Sequence, residues 1–145
     1  MSQAVEDLIW ETRRLFQALA IAADEALQPL DIGASDRALT EFLARETDPI
    51  SLAELARKRS VSRQHIHQSL SRLKHPRLIE RTPDPNDARS ILLQLTEEGR
   101  SLWKEIRKID YIVLRRLARD VDTARAQAAT KTLRGLRETL QGKKS

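Results

Sequence analysis

The sequence predicts a mainly α-helical chain carrying one small β-hairpin. Three observations lead there. Apolar residues recur at helical spacing through most of the 145 positions. Two serines, Ser51 and Ser62, stand as helix caps only eleven residues apart. In one stretch, residues 78–95, the period switches to strand-like alternation around the turn-dense "PDPND".

Residues 4–28 read as one long helix. Val5, Ile9, Phe16, Ala23 and Leu27 fall on one stripe flanked by Leu8, Leu15 and Leu19, while Trp10 and Ile21 lie on another face. Two buried surfaces are expected of it, and Gln28-Pro29 ends it. A second helix is expected from about Gly33 to Arg45, with Leu39, Phe42 and Leu43 inward. "DPISLAELARK" opens a third: Ser51 and Glu54 have capping-box spacing, and Ile50 and Leu55 that of a hydrophobic staple. It stops near Arg59. Ser62 opens a fourth helix, with Val61 and Ile66 again placed as a staple.

Leu78–Thr82 and the alternating Ile91, Leu93 and Leu95 then predict the hairpin. Thr96, followed by Glu97 and Glu98, caps the next helix, the acids favouring its positive end. That helix carries Leu102, Ile106, Ile109, Val113 and Leu117 on one stripe. A last helix, about Asp122 to Leu140, presents Leu133, Leu136 and Leu140, and the "GKKS" tail is expected to be loose.

Composition narrows the function. The chain has no cysteine, which excludes a disulfide scaffold, thiolate zinc, a cysteine nucleophile and thiol redox switching. "MSQAVEDLIWETRRLF" mixes charges among its apolar residues, unlike a signal peptide, and no apolar run is long enough to cross a bilayer. A single cytoplasmic domain without membrane association is expected. Charge is unevenly placed. Residues 1–49 hold four Lys/Arg against ten Asp/Glu, whereas residues 50–95 hold nine against four. Basic charge concentrated in the segment with the paired caps and the hairpin suits a polyanion.

The three histidines, His65, His67 and His75, all fall in or beside the fourth helix. On a helix over residues 62–75, Ile66, Leu70 and Leu73 make one apolar stripe. His65 and His67 then point roughly 200° apart and cannot share an ion. Acidic neighbours are few, so no metal site is expected. No nucleophile elbow, phosphate loop or H-E-x-x-H signature is present, and neither catalysis nor a cofactor is expected. Opposite the apolar stripe stand Gln64, Gln68, Ser71 and His75, edged by Arg63, His65, His67, Arg72 and Lys74. Glutamines on a major-groove helix can pair bidentately with adenine, and Arg or Lys with guanine or phosphate. A short capped helix, a three-residue turn with Ser60 where glycine is common, and a second capped helix make a helix-turn-helix. The hairpin that follows makes it winged.

From about Leu30 to Gly99 the chain resembles the MarR family of bacterial transcription regulators. The resemblance rests on "SLAELARKRSVSRQHIHQSLSRL" and on "LIERTPDPNDARSILLQLTEEG", where Asp84, Pro85, Asp87, Arg89, Leu95, Thr96 and Gly99 match the family's wing and its exit. It implies a winged lobe over residues 30–99 and dimerisation helices over residues 1–29 and 100–141. The recognition helix would span about 62–75 and the wing about 78–95. It further implies a homodimer on a pseudo-palindromic double-stranded operator, with half-sites about 34–36 Å apart. Within the recognition helix, Ser62, Arg63, Gln64, His65, His67, Gln68, Ser71, Arg72 and Lys74 are the candidate DNA-binding residues. The wing arginine maps onto Arg89, expected in a minor groove with Asp87 orienting it. Arg77 stands where the family usually has glycine and is expected to add a phosphate contact; Ala88 stands where a second wing arginine is common. A repressor released by a small aromatic or anionic effector is expected, with Trp10 and Trp103 as candidate pocket residues. A winged-helix protein-interaction module and a nonspecific architectural DNA binder are the alternatives.

Overall fold

The computed structural model describes residues 2–142. They form two units, the first running to Ile109 and the second beginning at Asp110.

In the first unit, helix α1 spans Gln3–Leu27 and passes through a 3-10 turn, Gln28–Leu30, set by Pro29. Helix α2 is Ala34–Ala44. A two-residue strand β1, Ile50–Ser51, precedes α3, Leu52–Lys58, and then comes α4, Arg63–Ser71. A second 3-10 turn, Pro76–Leu78, leads into β2, Ile79–Asp84, and β3, Asp87–Leu95. Helix α5, Glu97–Ala118, continues into the second unit.

The core of the lobe is one cluster of branched aliphatics. Leu39 and Leu43 from α2, Leu55 from α3, Ile66 and Leu70 from α4 and Ile79, Leu93 and Leu95 from the sheet are all buried together. The staple pairs expected from the sequence account for part of it: Ile50 and Leu55 are buried, and Val61 packs against the cluster that holds Ile66. Each fully buried Leu or Ile contributes about 1.5–3 kcal/mol of transfer free energy.

The hairpin has a third strand that the alternation did not reveal. β1 pairs antiparallel with β3 through Ile50↔Leu93 and Ser51↔Leu92, so the sheet order is β1-β3-β2. Two residues are too short to show a period, and Ile50 reads equally as a staple. At the tip the register shifts between Pro83 and Asp84, where proline cannot donate to the ladder.

Helix α5 starts under tight contact. Thr96 Oγ1 accepts the Gly99 N–H at 3.1 Å and donates to the Arg77 carbonyl at 2.7 Å. A Cβ at Gly99 would run into the Leu78 carbonyl oxygen and lie 3.0 Å from Leu95 Cδ2.

Helix α1 corrects one expectation. Of its apolar residues only Leu27 is buried within the chain; Val5, Leu15, Leu19 and Ile21 are exposed, and Phe16 is 73% exposed. The two-surface pattern is present, and among the described residues it is covered only in part, with Leu8 and Ile9 half-buried.

The second unit comprises the remainder of α5 and helix α6, Thr123–Leu140. The Asp122 carboxylate caps α6 by accepting the Arg125 N–H at 2.9 Å. Apolar side chains are again open: Ile112, Leu114 and Leu117 on α5, Leu133 and Leu140 on α6. The α5 stripe therefore divides, with Ile106 buried and Leu117 exposed. Among the described residues, no helix is long and apolar enough to cross a membrane.

Candidate nucleic-acid interface

The two serine caps predicted for the helix-turn-helix are in place. Ser51 Oγ accepts the Glu54 N–H at 3.2 Å, and Ser62 Oγ accepts the His65 N–H at 3.0 Å. The reciprocal half of the capping box at Ser51 is replaced: the Glu54 carboxylate turns to the Arg57 guanidinium. That contact holds the Glu54 carboxyl below its ordinary value and raises Arg57. An exposed arginine one turn along competes successfully with a backbone N–H.

The end of α3 is fixed by Arg59. Its guanidinium donates to the Phe42 carbonyl and to the Glu46 carboxylate, both at 2.8 Å, and lies over the Phe42 ring at 5.7 Å. Lys58 joins the same carboxylate at 2.8 Å. In the turn, Ser60 takes the left-handed conformation, φ +54°, which is why glycine is favoured there. The Val61 N–H returns to the Ala56 carbonyl at 3.0 Å, a closure that small, buried Ala56 permits.

Helix α4 then buries Ile66 and Leu70 and leaves Arg63, Gln64, His65, His67 and Gln68 exposed. Ser71 and Arg72 are exposed at its end, where the Ser71 hydroxyl donates to the Gln68 carbonyl at 2.8 Å. His65 and His67 stand on different flanks of a helix, as the periodicity requires.

Against the expected 62–75, the helix ends at Ser71, four residues early. Leu73 has helical spacing from Ile66 and Leu70, which misleads the sequence reading. Pro76 disfavours helical backbone at His75, and the chain leaves the helix after Ser71. Lys74 and His75 instead turn toward the α1–α2 connection. The Lys74 ammonium pairs with the Asp31 carboxylate, and His75 Nε2 donates to the Asp31 carbonyl at 2.8 Å. The Lys74 contact, followed by its charge and that of His75, holds the Asp31 carboxyl below its ordinary value.

Behind this exit lies Asp36, completely buried and not foreseen from the sequence. Its Oδ1 accepts the His75 N–H at 2.9 Å. Its Oδ2 accepts the N–H of Gly33 at 2.8 Å and of Lys74 at 3.3 Å. The signal available was an acid three residues after an N-cap, but Gly33 at the cap position does not advertise one.

The wing tip is shaped by two carboxylates. Asp84 Oδ1 accepts the Asn86 N–H and Asp87 Oδ1 the Arg89 N–H, each at 2.9 Å. Asp87 thus holds Arg89 through its backbone, and the Arg89 side chain is exposed. A groove separates wing from α4. Arg63 and His67 from α4, Asp87, Arg89 and Ile91 from β3, and Leu52 from α3 line it. Arg77 is exposed and 3.8 Å from Glu98, so its charge is partly answered within the chain. Arg81 on β2 is a further exposed cation that alternation alone did not single out.

The two tryptophans differ. Trp10 is 59% exposed on α1, whereas Trp103 is half-buried on α5 with the Arg107 guanidinium 5.9 Å from its ring centre. The cleft at the end of α1 is lined by other residues, among them Asp24, Leu27, Ile32 and Arg37.

Comparison with known proteins agrees with this geometry. Residues 39–90 match the sequence profile of the MarR family. The HTH-type transcriptional repressor NicR of Pseudomonas putida is 38% identical over 58 residues, 40% of this chain and 37% of that protein. The match thus spans little more than a third of the relative's length. A MarR transcriptional regulator from Methanosarcina mazei Go1 superposes with a TM-score of 0.79 at 22% identity, covering 94% of this chain and 98% of the other. Bordetella bronchiseptica BpsR, solved in a study of how 6-hydroxynicotinic acid regulates its DNA binding, superposes with a TM-score of 0.74 at 21% identity, covering 88% and 90%. The match to the MarR family thus lies in the winged helix-turn-helix lobe, and the fold is that of solved MarR regulators.

Proposed function

We propose that the protein is a dimeric, sequence-specific DNA-binding repressor. The observation that carries this reading is the groove between α4 and the wing, where Arg63, His67 and Arg89 converge on an exposed, donor-rich surface. Helix α4 enters the major groove. Gln64, Gln68, Arg63 and His67 reach base edges, while Ser62, His65, Ser71 and Arg72 hold the flanking backbone. Arg89 follows the adjacent minor groove, and Arg77 contacts phosphate. Lys74 serves in the exit of the helix rather than on DNA, because its ammonium is engaged by Asp31.

The second half of the proposal concerns the uncovered apolar faces. Phe16, Leu15 and Leu19 on α1, and Leu114, Leu117 and Leu140 in the second unit, are open to water in one chain. Apolar surface on this scale marks an interaction site, and a second copy of the chain supplies a matching one. Two lobes then face successive half-sites of a pseudo-palindrome. A small aromatic anion releases the protein from DNA, with Trp10 and Trp103 as candidate contacts; the regulation of DNA binding in BpsR by 6-hydroxynicotinic acid supports this class of effector.

Selection from a randomised duplex pool at near-physiological salt tests the reading. Enrichment of a pseudo-palindrome with half-sites about one helical turn apart supports it. Binding without enrichment, lost steeply as salt rises, would establish an architectural role instead. Absence of binding would leave a protein partner as the target of the basic face.

A further inference from the structure

We infer that Asp36 is a positioning residue that fixes the direction in which the recognition helix is presented, and that sequence selectivity depends on it. The inference rests on the DNA-reading role proposed above.

The argument begins with the donors. When a helix ends, backbone N–H groups beyond its last turn need acceptors, and burial without them is costly. At the end of α4, Lys74 and His75 lie past the last helical residue, Ser71, and Pro76 follows. Their N–H groups are both taken by one carboxylate 38 and 39 residues earlier in the chain. The same carboxylate takes the Gly33 N–H at the start of α2, where the helix's positive end favours it.

A single buried side chain therefore ties the first turn of α2 to the exit of α4. Each bond is directional, so the carboxylate fixes orientation as well as distance. Asp31 adds a second layer on the solvent side, through Lys74 Nζ and the His75 ring. The apolar stripe of α4, Ile66 and Leu70, holds the helix on the core along one line. The exit contacts add directional bonds at its far end. Base readout by Gln64, Gln68 and Arg63 needs side chains held to a fraction of an ångström, whereas phosphate contacts tolerate more. Loosening the exit should cost selectivity before it costs general DNA affinity.

Two variants separate the roles of the carboxylate. Asp36→Asn keeps the shape but turns an N–H donor toward N–H donors. Asp36→Glu keeps the charge and the reach to the Gly33 N–H of a capping box, but shifts the carboxylate from the α4 exit. For each, folding is followed by circular dichroism, and exchange of the Lys74 and His75 amides by NMR. Affinity is measured for the selected duplex and for a random-sequence duplex of equal length. In a folded variant, amide exchange at Lys74 and His75 rises about tenfold or more, as expected for a lost hydrogen bond that is partly shielded from water. Affinity for the selected duplex falls about tenfold, while that for random sequence changes less than about threefold. Faster exchange with an unchanged ratio of the two affinities would reduce Asp36 to a structural role. Unchanged exchange would remove it from the helix exit, and failure of both variants to fold would assign it to stability alone; either result overturns the inference. Should the wild-type protein prefer no sequence, the DNA-reading proposal fails by itself, and the exchange data still decide whether Asp36 holds the exit.

Discussion

Asp87 Oδ1 accepts the backbone N–H of Arg89 at 2.9 Å, so the acid in the wing shapes the turn that carries the cation. The Arg89 side chain is left exposed at the groove shared with Arg63 and His67. On this geometry Arg89→Ala leaves the turn intact and removes one charge from the contact surface. Binding to the selected duplex should weaken, and the slope of log K against log salt should become shallower by about one unit. Titrations at several salt concentrations read this directly. An unchanged slope would mean that the wing does not meet phosphate. Asp87→Ala should act more mildly, through a loosened turn.

Gln68 makes a different prediction. It is exposed in the middle of α4, two residues from buried Ile66 and Leu70, on a helix whose cap and core contacts are complete. Gln68→Ala should leave folding unaltered and cost about 1–3 kcal/mol at a single base position of the site, relaxing preference there. Repeating the duplex selection with the variant shows which position is released. A uniform loss over all sequences would assign Gln68 to backbone contact.

What the sequence discloses and what it conceals follow from the range of the interactions. Ser51, Ser62 and Thr96 each act on an N–H group three residues away, so local spacing reveals these three caps, while Asp122, read only as a helix start, caps α6 in the same way. Leu39, Leu55, Ile66 and Leu93 follow their periods into the core. Asp36, by contrast, works across 38 residues, and Arg59 across 17 to reach the Phe42 carbonyl; no period connects them. The end of α4 is hidden in the sequence because Leu73 continues the apolar spacing, while the competing acceptors for Lys74 and His75 lie in a distant segment. The apolar stripe of α1 is plain in the sequence, but no pattern within one chain says what covers it. The side chains proposed as contacts on α4 are exposed; Lys74, beyond the helix end, is exposed too but paired with Asp31.

Gly99 is constrained by space rather than by backbone freedom. Its Cα sits against the Leu78 carbonyl, and an added methyl group would meet backbone on one side and Leu95 Cδ2 at 3.0 Å on the other. Backbone at the start of a sheet cannot yield as a flexible side chain would. Gly99→Ala should therefore destabilise the lobe by about 1–3 kcal/mol, the usual cost of overpacking a close contact. Urea denaturation should report a lower midpoint with little change in slope. Stability equal to wild type would show that α5 shifts freely on β2.

The exit of α4 also carries a dependence on pH. The Lys74 ammonium beside Asp31 holds that carboxyl below its ordinary value, with the charge of His75 acting in the same direction. A carboxyl depressed in the folded state contributes stability that is fully present above its unfolded value and is lost as pH falls through the folded one. The contribution is small, because both side chains are more than half exposed and water screens the pair. It is nevertheless site-specific and visible by NMR. The Asp31 side-chain carboxyl should titrate below the ordinary aspartate range in the wild-type protein and move back toward it in Lys74→Ala. An Asp31 titration unaffected by Lys74→Ala would mean that the pair does not persist in solution, leaving the Asp36 bonds to hold the helix exit alone.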